Sequence, residues 1–267
     1  MNPTVTLMEV DAPFIAKKHC PDVYHFACGR RRRTYSPHGC GLRPRKGTVT
    51  IIFRSSAQLR KNSTIKVGDC LSDFVGPLGN LPKQASKVCV VGGGVGCAIA
   101  LPIAKELHAK GCEVTSIIGF RSRELVILED EFKAASKKFF MMTDDGSYGR
   151  QGNVCVPLNE MLAAGEKFDA VITIGPLIMM KFVCAATKPY GIKTIASMNP
   201  IMIDGTGMCG GCRLTVGGKM KFACVDGPDF DGHEIDFDEA MSRSRTYADF
   251  ESHQREETCN LFKKEVK

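Results

Sequence analysis

Tryptophan is absent from the 267 residues, and aromatic side chains make up only 7% of them. No aromatic-rich RNA platform and no helix-turn-helix pattern accompanies its positive charge, so nucleic acid is not the expected partner. Long apolar runs are missing too. Glycine, lysine or proline interrupts each one within a few positions, and none approaches the roughly 18 residues that a membrane-spanning helix needs. No charged-then-apolar leader opens the chain, so its 13 cysteines are read as reduced thiols of a soluble cytoplasmic protein rather than as the staples of a secreted one. What is present is enough hydrophobic residue, 43%, for a sizeable core spread over about two domains.

The formal charge of +7 is concentrated rather than spread. Much of it sits in Arg30, Arg31, Arg32, Arg33, Arg43, Arg45, Arg54 and Arg60, within two short stretches that have neither a clean strand period nor a helix period. Around them the texture is β: an alternating segment over 4–18, a strand over Thr48–Phe53, a turn at Lys66-Val67-Gly68-Asp69, and a strand over Leu71–Val75 closed by Gly76-Pro77-Leu78-Gly79. Residues 1–80 are expected to form a β barrel or sandwich.

From Lys87 the pattern becomes βαβ. Strands are expected at Val88–Val91, Glu113–Gly119, Phe139–Thr143, Ala170–Ile174 and Lys193–Ser197, and helices at Ala98–Lys110, Glu124–Lys138, Pro157–Gly165 and Met179–Lys188. This order implies a doubly wound parallel sheet over 81–200. After Pro200 come glycine, cysteine and short hairpins over 201–240, with Lys221–Cys224 as a strand. A charged tail, 241–267, is read as helical or loose.

Two groups of residues carry chemistry. Gly92, Gly93, Gly94, Val95 and Gly96 follow a strand and open a helix, so backbone N–H groups can face a diphosphate unobstructed. The spacing is not the full G-x-G-x-x-G, and a tight turn without a ligand is the plain alternative. Asp144, Asp145 and Gly146, and Gly175 with Pro176, fall at the carboxyl ends of further parallel strands, where open α/β sheets bind ligands. Arg121 and Arg123 stand just past another strand end, where they can pair with a ribose or phosphate or remain solvated. The second group is Cys209-Gly210-Gly211-Cys212 with Cys224 beyond a hairpin. Three thiolates make most of a metal site, and Asp204, five positions before Cys209, occupies the place of the first cysteine in the plant-type C-x4-C-x2-C pattern. An iron–sulfur cluster, zinc and a redox thiol pair all remain open; glycine N–H groups that can point at bridging sulfides favour the cluster. Cys89, Cys97, Cys112, Cys155, Cys184, Met141, Met142, Met179 and Met180 are read as core.

The segments Val91–Gly96, Thr143–Gly149, Ile174–Pro176, Asp204–Arg213 and Phe222–Pro228 together resemble the small subunit of NADH-dependent reduced ferredoxin:NADP⁺ oxidoreductase, also labelled sulfide dehydrogenase β subunit. They are similar as well to the electron-transfer subunit of dihydroorotate dehydrogenase. The likeness is close from about Lys66 to Asp238. It implies a ferredoxin-reductase-like protein with an FAD-binding barrel, an NAD(P)-binding domain and a small [2Fe–2S] domain, the cluster held by Asp204, Cys209, Cys212 and Cys224. It implies hydride transfer from NAD(H) or NADP(H) to FAD, with single electrons leaving through the cluster toward a larger flavin and [4Fe–4S] subunit in a heterodimer and, indirectly, ferredoxin. The aspartate favours the first of the two relatives, since the second uses four cysteines.

The likeness fails over 19–44 and 54–62, where the family carries an Arg-x-Pro-Leu-Thr segment against the flavin and a Gly-x-x-Thr strand against its diphosphate. With codons chosen freely, a one-nucleotide shift over Pro21–Arg45 spells TFIILRADDDGERIPLTVADYDREK, and one over Phe53–Ile65 spells FQVVGATTKELNTI. Two short stretches in a wrong reading frame are therefore expected, with loss of barrel strand pairing and poor retention of FAD. The rival readings are a zinc module of His19, Cys20, Cys28, His38 and Cys40 or an anion site of the arginines. For the whole chain the rivals are a zinc-stabilised nucleotide sensor and the product of a damaged gene.

Overall fold

The structure, a computed structural model, describes residues 5–17, 23–28, 33–35, 38–43, 46–54, 67–68, 70–78 and 85–246. The N-terminal strands are β1 (Val5–Asp11), β2 (Val23–Cys28), β3 (Arg33–Tyr35), β4 (His38–Arg43), β5 (Thr48–Arg54) and β6 (Leu71–Leu78), with a one-turn helix α1 (Pro13–Ala16) after β1. They form two antiparallel three-stranded sheets, β1-β5-β4 and β3-β2-β6, and among the described residues these do not close into a barrel. The β-branched run of β5 suits a pleated surface, and Val49, Ile51 and Ile52 are fully buried.

Two expectations change here. Strand pairing survives in the atypical segment: β2 pairs with β3 and β6, and β4 with β5, although β2–β6 and β4–β5 both carry register shifts. Backbone hydrogen bonds are sequence-tolerant, so a segment with atypical side chains can still find a ladder. Strand β6 also runs on through Gly76 and Pro77 rather than stopping before them. It lies at a sheet edge, where proline's missing N–H is tolerated. Most of 54–62, the residues His19 and Cys20, and the tail beyond Thr246 lie outside the described residues.

The second part is a parallel sheet built from β7 (Lys87–Gly93), β8 (Glu113–Phe120), β9 (Lys138–Thr143), β10 (Arg150–Gln151), β11 (Ala170–Ile174) and β12 (Lys193–Ser197) in the order β10-β9-β8-β7-β11-β12. Strand alternation sends Val88 and Val90 to a core under helix α2 (Cys97–Ala109) and Cys89 and Val91 to the opposite face, under α4 (Cys155–Ala163) and α5 (Leu177–Thr187). The strand order reverses across the sheet between β7 and β11, whose connections leave to opposite faces, and a ligand crevice opens at such a point. The sheet β1-β5-β4 docks on the α2 face through Val5, Ile52 and Ala98.

The helix expected over 124–138 is much shorter: a 3-10 turn at Arg123–Leu125 precedes α3 (Glu129–Ala134). Leu128 stands between them at φ +61°, a left-handed angle that a continuous helix cannot contain.

The last lobe holds the hairpin β13 (Arg213–Val216) and β14 (Lys219–Phe222), the short strand β15 (Asp229–Asp231) and helix α6 (Phe237–Ser244). Strand β14 starts and ends two residues earlier than expected, because Ala223 and Cys224 turn into the core and Ala223 N donates to Cys212 O at 3.2 Å. Strand β15 runs antiparallel on the free edge of β12. Asp236 caps α6 by accepting from Glu239 N at 2.9 Å. No helix among the described residues is long and apolar enough to cross a membrane.

Candidate cofactor sites

A cavity of about 960 Å³ opens at the carboxyl rim of the sheet, over the ends of β7 and β11. Gly93, Gly94, Val95 and Gly96 line it, together with Gly175 and Pro176. These two strand ends nearly touch. A Cβ on Gly96 would meet Ile174 O at 2.6 Å, and one on Gly175 would meet Gly93 Cα at 3.0 Å. Only glycine permits that approach. No side chain caps the start of the Gly94–Gly96 turn or of α2, which leaves N–H groups for an anion. Gly92 serves differently: it lies under α2, where an added Cβ would strike Cys97 Sγ at 2.9 Å.

Arg121 and Asp144 line the cavity; Arg123, Asp145 and Gly146 do not. The Arg123 guanidinium lies 5.3 Å from the centre of the Tyr148 ring, and its backbone N–H donates to Ser147 Oγ at 2.8 Å. Asp145 accepts from Ser147 Oγ (2.6 Å) and N (2.9 Å), which hold its carboxyl below the usual range, while Gly146 supplies a φ of +72° to the same turn. The buried Thr143 hydroxyl donates to Tyr148 O at 2.5 Å and locks this loop. Sequence reasoning missed Phe182, Asn159 and Asn199, which also line the cavity; the signal available was an apolar residue on the outward face of a helix that starts at a Gly-Pro strand end. Of the cysteines read as core, Cys89, Cys97 and Cys184 are buried, and Cys112 and Cys155 are partly so. Cys155 borders the cavity.

The second site is the loop 204–212 with Cys224. Asp204 Oδ1 accepts from Thr206 N at 2.9 Å and Oδ2 from Cys209 N at 2.7 Å. The Thr206 N–H, and then the N–H and thiol of Cys209, hold its carboxyl below the usual range. Cys209 is exposed, whereas Cys212 and Cys224 are buried with their sulfurs 3.3 Å apart. Burial first, and then the Cys212 thiol, push the Cys224 thiol up to about 11, against an opposing N–H from Gly207. Gly205, Gly207 and Gly210 take φ of +72°, +84° and +63°, angles that let the loop fold back on itself. Beneath it, Met202, Leu214, Ala223 and Phe237 join Met180 and Ala196 of the sheet part in one core.

Among the described residues no three His, Cys, Asp or Glu side chains gather about a point suited to one ion. The four donors are instead linked two by two, Asp204 to Cys209 through the Cys209 backbone N–H and Cys212 to Cys224 through their sulfurs. A tetrahedral zinc site needs all four on one point, whereas a two-iron cluster takes two ligands per iron. The donor set fits the cluster.

Residues 199–236 match the iron–sulfur cluster binding domain of dihydroorotate dehydrogenase B. A dihydroorotate dehydrogenase B (NAD(+)) electron transfer subunit homolog of Thermotoga maritima is 44% identical over 206 residues, spanning 76% of this chain and 71% of that protein. The chain belongs to the electron-transfer subunit family of dihydroorotate dehydrogenase B. Within that family's wider fold, a structure of NADH-dependent reduced ferredoxin–NADP oxidoreductase, described for flavin-based electron bifurcation, superposes with a TM-score of 0.86 at 32% identity, covering 97% of this chain and 94% of that one. The cytochrome b5 reductase domain of Ulva prolifera nitrate reductase shares the fold alone, with a TM-score of 0.55 at 14% identity over 73% of this chain and 92% of that one. The ferredoxin-reductase-like architecture expected from the sequence is thus borne out, as is the membership in this family of oxidoreductase subunits.

Proposed function

We propose that the chain is the small, cytoplasmic electron-transfer subunit of a ferredoxin–NAD(P)⁺ oxidoreductase, working with a larger flavin and [4Fe–4S] subunit. The observation that carries this reading is the pairing of Asp204 with Cys209 and of Cys212 with Cys224 on one edge of a sheet whose rim holds a glycine-lined cavity. When bound, flavin and cluster supply the conversion of a two-electron hydride into single electrons. The chain's own residues do the holding. Gly93 to Gly96 and Gly175 cradle the diphosphate of NAD(H), Arg121 and Asp144 face its ribose end, and the three cysteines with Asp204 ligate the [2Fe–2S] cluster.

Two parts of this reading concern the N-terminal half. Residues 19–44 and 54–62 lack the family's flavin-contacting segments, so FAD is held weakly by the chain as written. The relatives named dihydroorotate dehydrogenase B favour a second partner, a pyrimidine-synthesis dehydrogenase; Asp204, in place of a first cysteine, weighs toward the ferredoxin-linked reading.

The test is an anaerobic visible spectrum with iron, sulfide, zinc and flavin quantified on one purified sample. About two irons and two sulfides per chain are expected, falling to near zero in Cys212→Ser. Zinc without sulfide overturns the electron-transfer reading.

A further inference from the structure

Of residues 144–149, the loop that follows β9, only Tyr148 is not exposed. Its ring packs against the core on the α2 face, and its hydroxyl donates to Glu129 Oε1 at 3.0 Å, at the start of α3. The Arg123 guanidinium covers the ring from outside, 5.3 Å from its centre. The Tyr148 backbone is held as well, since its N–H donates to the Thr143 hydroxyl at 3.2 Å. A polar loop without apolar contacts opens easily, and Tyr148 is the peg that gives this one such contacts. The loop also carries its neighbour. Asp144 N donates to Phe120 O at 3.0 Å and Asp145 N to Arg121 O at 3.2 Å, so the chain after β8 and the chain after β9 are joined at the two charged residues that line the cavity, Arg121 and Asp144. Among the described residues neither of these side chains makes a hydrogen bond or an ion pair, whereas Arg123, Asp145 and Glu129 beside them are all engaged. Opposite charges on adjoining loops attract each other, so a frame is needed to keep both of them free.

We infer that Tyr148 is a positioning residue for nucleotide binding, with Arg123 as its clamp. Together they hold the loop after β9 so that Asp144 and Arg121 stay apart and available to a ligand. This role rests on the nicotinamide-dependent reading above. Neither Tyr148 nor Arg123 lines the cavity, so whatever they do to a ligand's affinity passes through the loop. The two arginines thereby divide the work, Arg121 at the cavity and Arg123 over the peg.

The test is a double-mutant cycle of Tyr148→Leu and Asp144→Ala on the full chain, read by titration calorimetry with ADP-ribose. Asp144→Ala alone is expected to weaken binding about tenfold, the scale of one charge-assisted hydrogen bond. Tyr148→Leu alone should weaken it about fivefold, as for a residue that acts without touching the ligand. In the Asp144→Ala background the leucine should cost less than about twofold more, a non-additivity that a general loss of stability does not produce. Tyr148→Phe, which keeps the ring under Arg123, should retain most of the affinity. Arg123→Ser, at an exposed position, decides the matter if the leucine variant fails to fold: it should weaken binding about two- to fourfold through the lost cation–π contact, and Arg123→Lys should restore it. Additive losses in the cycle overturn the positioning role and leave the proposed function standing, as does wild-type affinity in Asp144→Ala, or in Tyr148→Leu and Arg123→Ser together. A wild-type chain that binds no ADP-ribose overturns the functional reading itself and this role with it.

Discussion

Gly96→Ala offers a test in which the sign alone is informative. Gly96 has φ −58° and ψ −22°, helical angles at the start of α2, which alanine adopts readily. With free space around it, the substitution would stabilise the protein by about 0.4–1 kcal/mol, by restricting the unfolded chain. The space is not free. The new methyl would stand 2.6 Å from Ile174 O and 2.9 Å from Gly175 Cα, both backbone atoms that can yield only if β7 and β11 part. Overpacking of this kind costs about 1–3 kcal/mol, so the net is a loss of roughly 2 kcal/mol at the upper end of that cost. At about 2–4 °C per kcal/mol for a chain of this size, the melting temperature should drop by roughly 4–8 °C. Parting the strands also spreads the diphosphate cradle, so ADP-ribose affinity should fall about tenfold, a change equivalent to about 1.4 kcal/mol. Differential scanning calorimetry and titration calorimetry on the same preparations read both. Gly165→Ala is the control: it has φ +80° and open surroundings, so it should cost about 1 kcal/mol from the backbone angle and leave nucleotide binding alone. A Gly96→Ala protein that melts at or above the wild type would refute the close approach of the two strands and the cradle built on it.

Asp169 Oδ2 accepts from Ser86 N at 2.7 Å and Lys87 N at 2.9 Å, pinning the start of β7 beside β11, and the Lys87 N–H first and then that of Ser86 lower its pKa. A lowered carboxylate contributes stability above its unfolded value and loses it as pH falls through the folded one. The melting-temperature gap between wild type and Asp169→Asn should therefore stay constant from pH 8 to 5 and shrink below about pH 4; a gap that widens in acid would contradict the assignment. In the cluster-free protein, peptide mapping after brief iodoacetamide treatment at pH 8 should find Cys209 alkylated ahead of Cys212 and Cys224, because it is exposed and they are buried, and equal labelling of the three would count against the paired geometry. The codons of Pro21–Arg45 and Phe53–Ile65 should permit the shifted peptides, and restoring the frame should raise bound FAD toward one per chain; codons that forbid the shift end that explanation.

Much of the sheet was legible because its strands are short β-branched runs set between glycine and proline. Ala170–Ile174 and Lys193–Ser197 appear at their expected bounds. Periodicity misled at Glu124–Lys138, since nothing in a pattern of apolar positions announces the left-handed Leu128 that breaks it. Spacing suggested the proposed cluster ligands, and the family resemblance added Asp204 to them, yet their division into two pairs was not readable, because pairing depends on how Ala223 and Cys224 leave the hairpin. Arg121 and Arg123 look equivalent two residues apart. Only the Tyr148 ring, brought in from the loop after β9, takes one of them away from the cavity. Phe182 was passed over because a largely apolar helix reads as core on every side.

The attachment of β15 to β12 has a mechanical meaning. Ser197 pairs with Asp229 and Ile195 with Asp231, Met198 N donates to Pro228 O at 2.9 Å, and His233 Nε2 lies 3.0 Å from the Thr187 hydroxyl on α5. The cluster lobe is thus clamped to the nucleotide sheet on two sides, so the two form a single lever arm. Among the described residues, the N-terminal sheet β1-β5-β4 meets this unit through a separate apolar contact of Val5 and Ile52 with Ala98. Whatever displaces the cluster lobe or the nucleotide sheet therefore carries the other along, and their separation does not change with the movement.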